Sequence, residues 1–160
     1  MTEESSSPSS KTKARQVLTE AQTCTLATAS QDGVPEAATI RFVSDQNLDL
    51  YITTESMYRK YENMTVNPRV ALVVDEAQYN LQLEGVATEV HGEAAEQIKS
   101  KYRDKYGPSQ YLRNNDSVFF EIIIDWARLL VDGQFPPEFE MVIGSSDADP
   151  HGITVDQAKG

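Results

Sequence analysis

A basic pair, Arg59-Lys60, stands in a chain of 160 residues that carries 25 acidic against 14 basic side chains and a net charge of −11. The pair falls near the start of a predicted short helix over residues 57–66, whose apolar stripe is Met57, Tyr61 and Met64. Cations at a helix start face the positive end of its dipole, at about 0.3–1 kcal/mol each. A bound anion would offset that cost. A phosphate dianion is the natural one, held by an arginine fork, a lysine point charge and nearby hydroxyl or helix N–H groups. Thr54 or Ser56 is the expected cap of this helix. The alternative is that Arg59 pairs with Glu55 or Glu62 at helical spacing on a solvated face. At about 100° per residue, Lys60 flanks the apolar stripe while Arg59 points nearly away, so Lys60 is the stronger phosphate candidate.

Other constellations are weaker. His91 and His151 are the only histidines, and neither forms a ligand pattern with Cys24, so no metal site is expected. Ser, His and Asp occur without a nucleophile elbow, and the glycines form no dinucleotide loop. Cys24 reads as a small core residue. Nothing in the pattern nominates an acid, a base or a nucleophile.

These residues must be held by one domain, with 39% apolar and 24% charged residues as in ordinary globular proteins. No apolar run approaches the roughly 18 residues that a membrane helix needs. The first ten residues lack a basic start and an apolar stretch, so they do not read as a signal peptide. One cysteine allows no internal disulfide, and the cytoplasm is the expected home. The acidic surface argues against nucleic acid and anionic membranes, which need clustered Lys and Arg.

Ser-rich residues 1–10 read as a flexible lead-in, residues 11–143 as the domain, and residues 144–160 as a polar tail. Ala14, Val17, Leu18 and Ala21 predict an amphipathic helix over 11–22. Asp32-Gly33 separates strands over 24–30 and 37–43 as a hairpin turn. Leu48, Leu50 and Ile52 alternate with polar residues in a strand over 48–53. Further strands are expected over 69–74, 79–90, 118–125 and 127–131, the last ending in Asp132-Gly133. In the strand over 79–90 the apolar side chains move from odd to even positions at Gly85, which reads as a bulge. A third helix over 93–106 carries Ala94, Ile98 and Tyr102 and closes at Gly107-Pro108. Six or seven short strands with about three small helices predict a mainly β, closed antiparallel barrel. So small a barrel is filled by its own side chains, so a ligand would lie in a groove or at a subunit interface.

The segment from Tyr51-Ile52-Thr53-Thr54 through Arg59-Lys60 to Asn67-Pro68-Arg69-Val70 resembles the signature of the pyridoxamine 5′-phosphate oxidase-like, FMN-binding split-barrel family. The flanks agree: residues 26–35 resemble its first hairpin, Arg41-Phe42-Val43 its flavin-contacting strand, and residues 81–87 its Gly-x-Ala strand. The resemblance implies a six- to seven-stranded antiparallel split barrel that binds flavin mononucleotide (FMN). It implies that Arg59 and Lys60 hold the FMN phosphate, with Thr53 and Thr54 adding contacts there. Arg41, Phe42 and Val43 would line the flavin ring. Ile52, on the strand that ends in Thr53-Thr54, would also contact the cofactor, and Asn80 stands where the family often has a polar ring contact. It further implies a homodimer with flavin at the interface, to which Trp126 and Arg128 of the second chain would contribute, Trp126 having core packing as its alternative. The oxidase itself has a C-terminal Arg-x-His element, whereas this chain has Arg128-Leu129-Leu130, so the resemblance is to the superfamily. An FMN-dependent oxidoreductase acting on a small molecule is implied. A non-catalytic flavin-binding protein, or a deazaflavin- or haem-binding relative, remains the alternative.

Overall fold

Strand alternation and amphipathic stripes settle into eight strands and three α-helices in a computed structural model that describes residues 9–131 and 135–144. Helix α1 (Ser10–Glu20) buries Ala14, Val17 and Leu18. The Ser9 side chain caps it by accepting from the Thr12 amide at 3.1 Å. Ser9 is thus the cap of α1 and Ser10 its first residue. Residues 1–8, the Asp132-Gly133 turn and the tail beyond Gly144 lie outside the described residues.

The hairpin around Asp32-Gly33 joins β1 (Thr23–Ala29) to β2 (Pro35–Arg41), with Gly33 at φ 86°, where glycine avoids the penalty of a side chain. The single strand expected to Val43 is instead broken at Phe42, and β3 is only Val43–Ser44. Phe42 enters the barrel core, while Val43 packs in a second cluster with α3 (Gly92–Tyr106). Both faces are covered here, so neither side chain reaches solvent. Strand β4 (Leu50–Glu55) alternates as expected, with Leu50 and Ile52 fully buried.

Helix α2 (Arg59–Val66) starts two residues later than the stripe suggested, and Met57 lies ahead of it and exposed. Tyr58 is its cap residue and no side chain caps it, so neither Thr54 nor Ser56 plays that part. Met64 is buried, and Asn63 donates to the Thr28 hydroxyl at 3.0 Å inside the core. Strands β5 (Arg69–Glu76) and β6 (Tyr79–Val90) form a hairpin. In α3 the inward residues are Ala95, Ile98 and Tyr102, with Ala94 exposed, a face shifted by one residue from the expected one.

Strand β7 (Ser117–Val131) runs unbroken through both segments expected as separate strands. Its pairing with β6 jumps from Glu84↔Trp126 to Gly85↔Ile124, so the extra residue is Asp125 of β7. Odd positions of β6 stay buried through Leu81, Leu83 and Ala87, which corrects the expected change of side at Gly85. Gly85 is needed for another reason: a Cβ there would lie 2.2 Å from the Ile123 carbonyl oxygen. A last strand, β8 (Glu138–Ile143), unforeseen from the sequence, adds to β7 along Ala127–Val131.

The sheet order is β2-β1-β5-β6-β7-β4-β3, antiparallel in every recorded pairing. Its two edges meet because Phe42 alone joins β2 to β3. Beyond that corner no ladder bridges β2 and β4 among the described residues. This seam makes the structure a split barrel.

Candidate functional site

The seam opens into a cavity of about 370 Å³, edged by Thr39, Ile40 and Arg41 on β2 and by Thr53, Thr54 and Glu55 on β4. Thr54 points inward and is buried, while Thr53 faces outward and donates to the Val118 carbonyl at 3.0 Å. Tyr58, Lys60, the last turn of α3 and the segment behind it complete the lining. The Lys60 ammonium lies 4.9 Å from the centre of the Tyr58 ring. The neighbouring Glu55 carboxylate raises the Tyr58 phenol pKa.

Four tyrosines line the cavity: Tyr58, Tyr102, Tyr106 and Tyr111. The Arg41 guanidinium lies 4.9 Å over the Tyr106 ring. The Tyr106 hydroxyl accepts from the Phe42 amide at 3.2 Å and reaches the carbonyls of Gln22 and Phe42. The Tyr102 hydroxyl donates to the Arg41 carbonyl at 3.0 Å. These bonds take the place of ladder partners where the strand breaks. Burial raises both phenols. They are therefore neutral, fixed walls rather than titrating groups at neutral pH. The Gly107 turn that ends α3 has φ 86°, a backbone only glycine takes without strain.

The expected site residues divide. Arg41, Thr53, Thr54 and Lys60 line this one cavity. Ile52 and Phe42 face the barrel interior, and Val43 lies under α3, so their side chains do not. Arg59 turns away and pairs with Glu36 at 3.2 Å, not with Glu55 or Glu62. Asn80 sits at the far end of β6, opposite Leu130. Trp126 is half-buried against Arg128, whose guanidinium is held by the Gln82 side chain at 2.8 Å and also covers Phe139. Neither Asn80 nor Trp126 borders the cavity.

Sequence reading missed the tyrosine walls. Tyr102 was visible only as one residue of an apolar stripe, and Tyr106 as a helix end. Their spacing of four, which sets two rings side by side on one helix face with centroids 5.5 Å apart, was the available signal. Among the described residues no cluster of His, Cys, Asp and Glu is arranged to hold a metal, and His91 lies near Glu89, outside the cavity. Cys24 is buried in the core, and its thiol is pushed up to about 12, so it is no nucleophile. The cavity can therefore offer cationic and hydroxyl donors to an anion and aromatic faces to a ring.

The architecture defines the class, an antiparallel split barrel with its cavity at the seam. The family model for pyridoxamine 5′-phosphate oxidase matches residues 10–131, and the chain belongs to that family. No curated protein matches it significantly in sequence. Among solved structures it is similar to a haem-binding protein from Mycobacterium smegmatis, with TM-score 0.72 and 19% identity. That similarity covers 86% of this chain and 60% of the other, so the chain spans less than two thirds of that protein. It is also similar to the haem storage protein HutZ from Vibrio cholerae, with TM-score 0.66 and 20% identity over 79% of this chain and 96% of the other. An F420 reductase has TM-score 0.60 and 24% identity over 71% of this chain and 94% of the other. These likenesses describe the fold.

Proposed function

We propose that the chain binds FMN in the seam cavity and works as an FMN-dependent oxidoreductase on a small molecule. The observation that carries this reading is that Lys60, Thr53, Thr54 and Arg41 border one cavity together with four tyrosine rings. In an acidic chain, a lysine in the first turn of α2 and two threonines at the end of β4 suit a phosphate. The tyrosine faces suit a planar, electron-poor ring, and the Arg41 guanidinium suits a polar acceptor on its edge. Bound flavin would supply the hydride chemistry, and the protein the orientation and the field. Lys60 would grip the phosphate, and Thr54 would donate to it. Tyr102 and Tyr106 would fix the β2–β3 corner against which the ring lies. Phe42 and Val43, whose side chains are turned elsewhere, would contribute backbone groups only.

Asn80 and Trp126 border no part of this cavity, so any contact they make with flavin would come from a second chain. A homodimer with shared flavin sites is accordingly part of the proposal, as is a cytoplasmic setting for a chain with one buried thiol.

The test is the absorbance of the purified protein, before and after incubation with FMN. Flavin bands that survive gel filtration are the expected result. A Soret band would instead favour haem, which two of the similar structures are described as binding. A deazaflavin spectrum would favour the cofactor named for the third. Oxidation of NADH or NADPH with turnover separates an enzyme from a flavin store. A flavin-loaded chain that sediments as a monomer would overturn the interface arrangement.

A further inference from the structure

We infer that Glu36 holds Arg59 away from the phosphate end of the cavity, so that an incoming phosphate must take this arginine from a carboxylate of the protein itself. The inference rests on the FMN reading above and adds a residue that sets the site's affinity.

Arg59 and Lys60 are adjacent, at the first turn of α2, yet only Lys60 borders the cavity. The Arg59 guanidinium forms an ion pair with Glu36, Nη2 to Oε2 at 3.2 Å. The two ends of this pair sit in very different surroundings. The arginine side chain is 77% exposed, whereas that of Glu36 is 15% exposed. The second oxygen of Glu36, Oε1, is buried with no hydrogen-bond partner. A carboxylate that has lost most of its water and keeps one unsatisfied oxygen depends on its cation more than a solvated one does.

The choice of partner is informative. Glu55 and Glu62 were available to Arg59 at helical spacing with little ordering cost, and the side chain takes neither. It reaches instead to β2, where Glu36 stands in register with Thr28. Thr28 in turn bonds Asn63 of α2 at 3.0 Å. Glu36 thus belongs to the contact between α2 and the β1–β2 hairpin. On β2 it shares the inward row with Ala38 and Ile40, and Ile40 borders the cavity. The arginine is neutralised beside the site rather than in it, and Lys60 alone is left facing the cavity from this helix.

A phosphate bound near Lys60 would compete with Glu36 for Arg59. Removing the carboxylate's charge should release the arginine and strengthen binding of the phosphate, and of nothing else on the ligand. Riboflavin, which has the same ring and lacks the phosphate, is the control that a general structural effect would not spare.

The experiment is fluorescence titration of FMN and of riboflavin against the wild-type chain, Glu36→Gln, Arg59→Ala and the double variant. Glu36→Gln should bind FMN about fivefold more tightly, the scale of a partly exposed ion pair. Its riboflavin affinity should match wild type, which also shows that the variant is folded. In the Arg59→Ala background the Gln substitution should bring no gain. Wild-type FMN binding with no gain in Glu36→Gln overturns the role given to Glu36. So does an equal change for FMN and riboflavin. A wild-type chain that binds neither flavin fails at the earlier step and removes the FMN reading itself.

Discussion

Lys60 is the residue on which the phosphate assignment turns. It is half-buried, borders the cavity and lies beside the Tyr58 ring, so its charge is less screened than that of a lysine in open solvent. A charge-assisted hydrogen bond to phosphate contributes about 1.5–3 kcal/mol. Lys60→Ala should therefore weaken FMN binding by more than about tenfold while leaving riboflavin affinity nearly unchanged. Equal loss of both ligands in a fluorescence titration would show that the residue shapes the cavity and does not grip the phosphate. The sequence ranked Lys60 above Arg59 through the helical wheel, and the same geometry directs the two side chains apart in the structure. It could not name the partner of Arg59. Local spacing proposed Glu55 and Glu62, but Glu36 arrives through strand pairing, which one segment's periodicity does not encode.

Strands were legible where one face is wet, as in β4, whose alternation fixes which side chains enter the core. They were less legible where two strands negotiate. Gly85 marked an irregularity correctly in place, yet the extra residue lies across the ladder at Asp125. A single strand's pattern shows that a register slips, and only its neighbour shows which strand carries the surplus. Strand β8 follows two prolines and is mostly exposed or half-buried, so it gave no clear alternation to read. The helix faces were off by one residue at Ala94, because Ala94 and Ala95 fit the stripe equally well by type. The tight crossing at Gly85 permits a direct test. An alanine methyl there meets the Ile123 carbonyl oxygen at 2.2 Å, and backbone cannot turn aside as a side chain can. Gly85→Ala should cost about 1–3 kcal/mol or more in urea unfolding, as overpacking does. A change below about 0.5 kcal/mol would mean that β7 shifts freely at this point.

Across the whole molecule, the acidic excess could be read from composition and the closed barrel from the strand pattern, but where the sheet would close could not. That closure brings α3 against the β2–β3 corner and buries phenols that the sequence placed only on a helix stripe, at a helix end or on a strand. Tyr102, Tyr106 and Tyr51 are all raised above the ordinary phenol value, with burial the leading cause in each. In the unfolded chain these groups ionise near pH 10, while the folded chain keeps their protons. Above about that pH the native state binds more protons than the unfolded state, so stability is intact below it and is lost as pH rises. Lys105 works in the other direction. Burial lowers its ammonium, so between its folded value and 10.5 the unfolded chain holds the extra proton and stability climbs with pH. The Lys105 contribution is complete by about pH 10.5, so above that the three phenols set a downward slope, and a chain already at −11 gains further repulsion as phenolates form. Melting followed by circular dichroism should show a Tm that holds or rises up to about pH 10 and falls beyond it. Tyr102→Phe should melt lower at neutral pH, having lost its 3.0 Å bond to the Arg41 carbonyl. Its Tm should then fall less steeply in alkali, because the most buried of the three phenols is gone. A decline parallel to wild type would place the titrating group elsewhere.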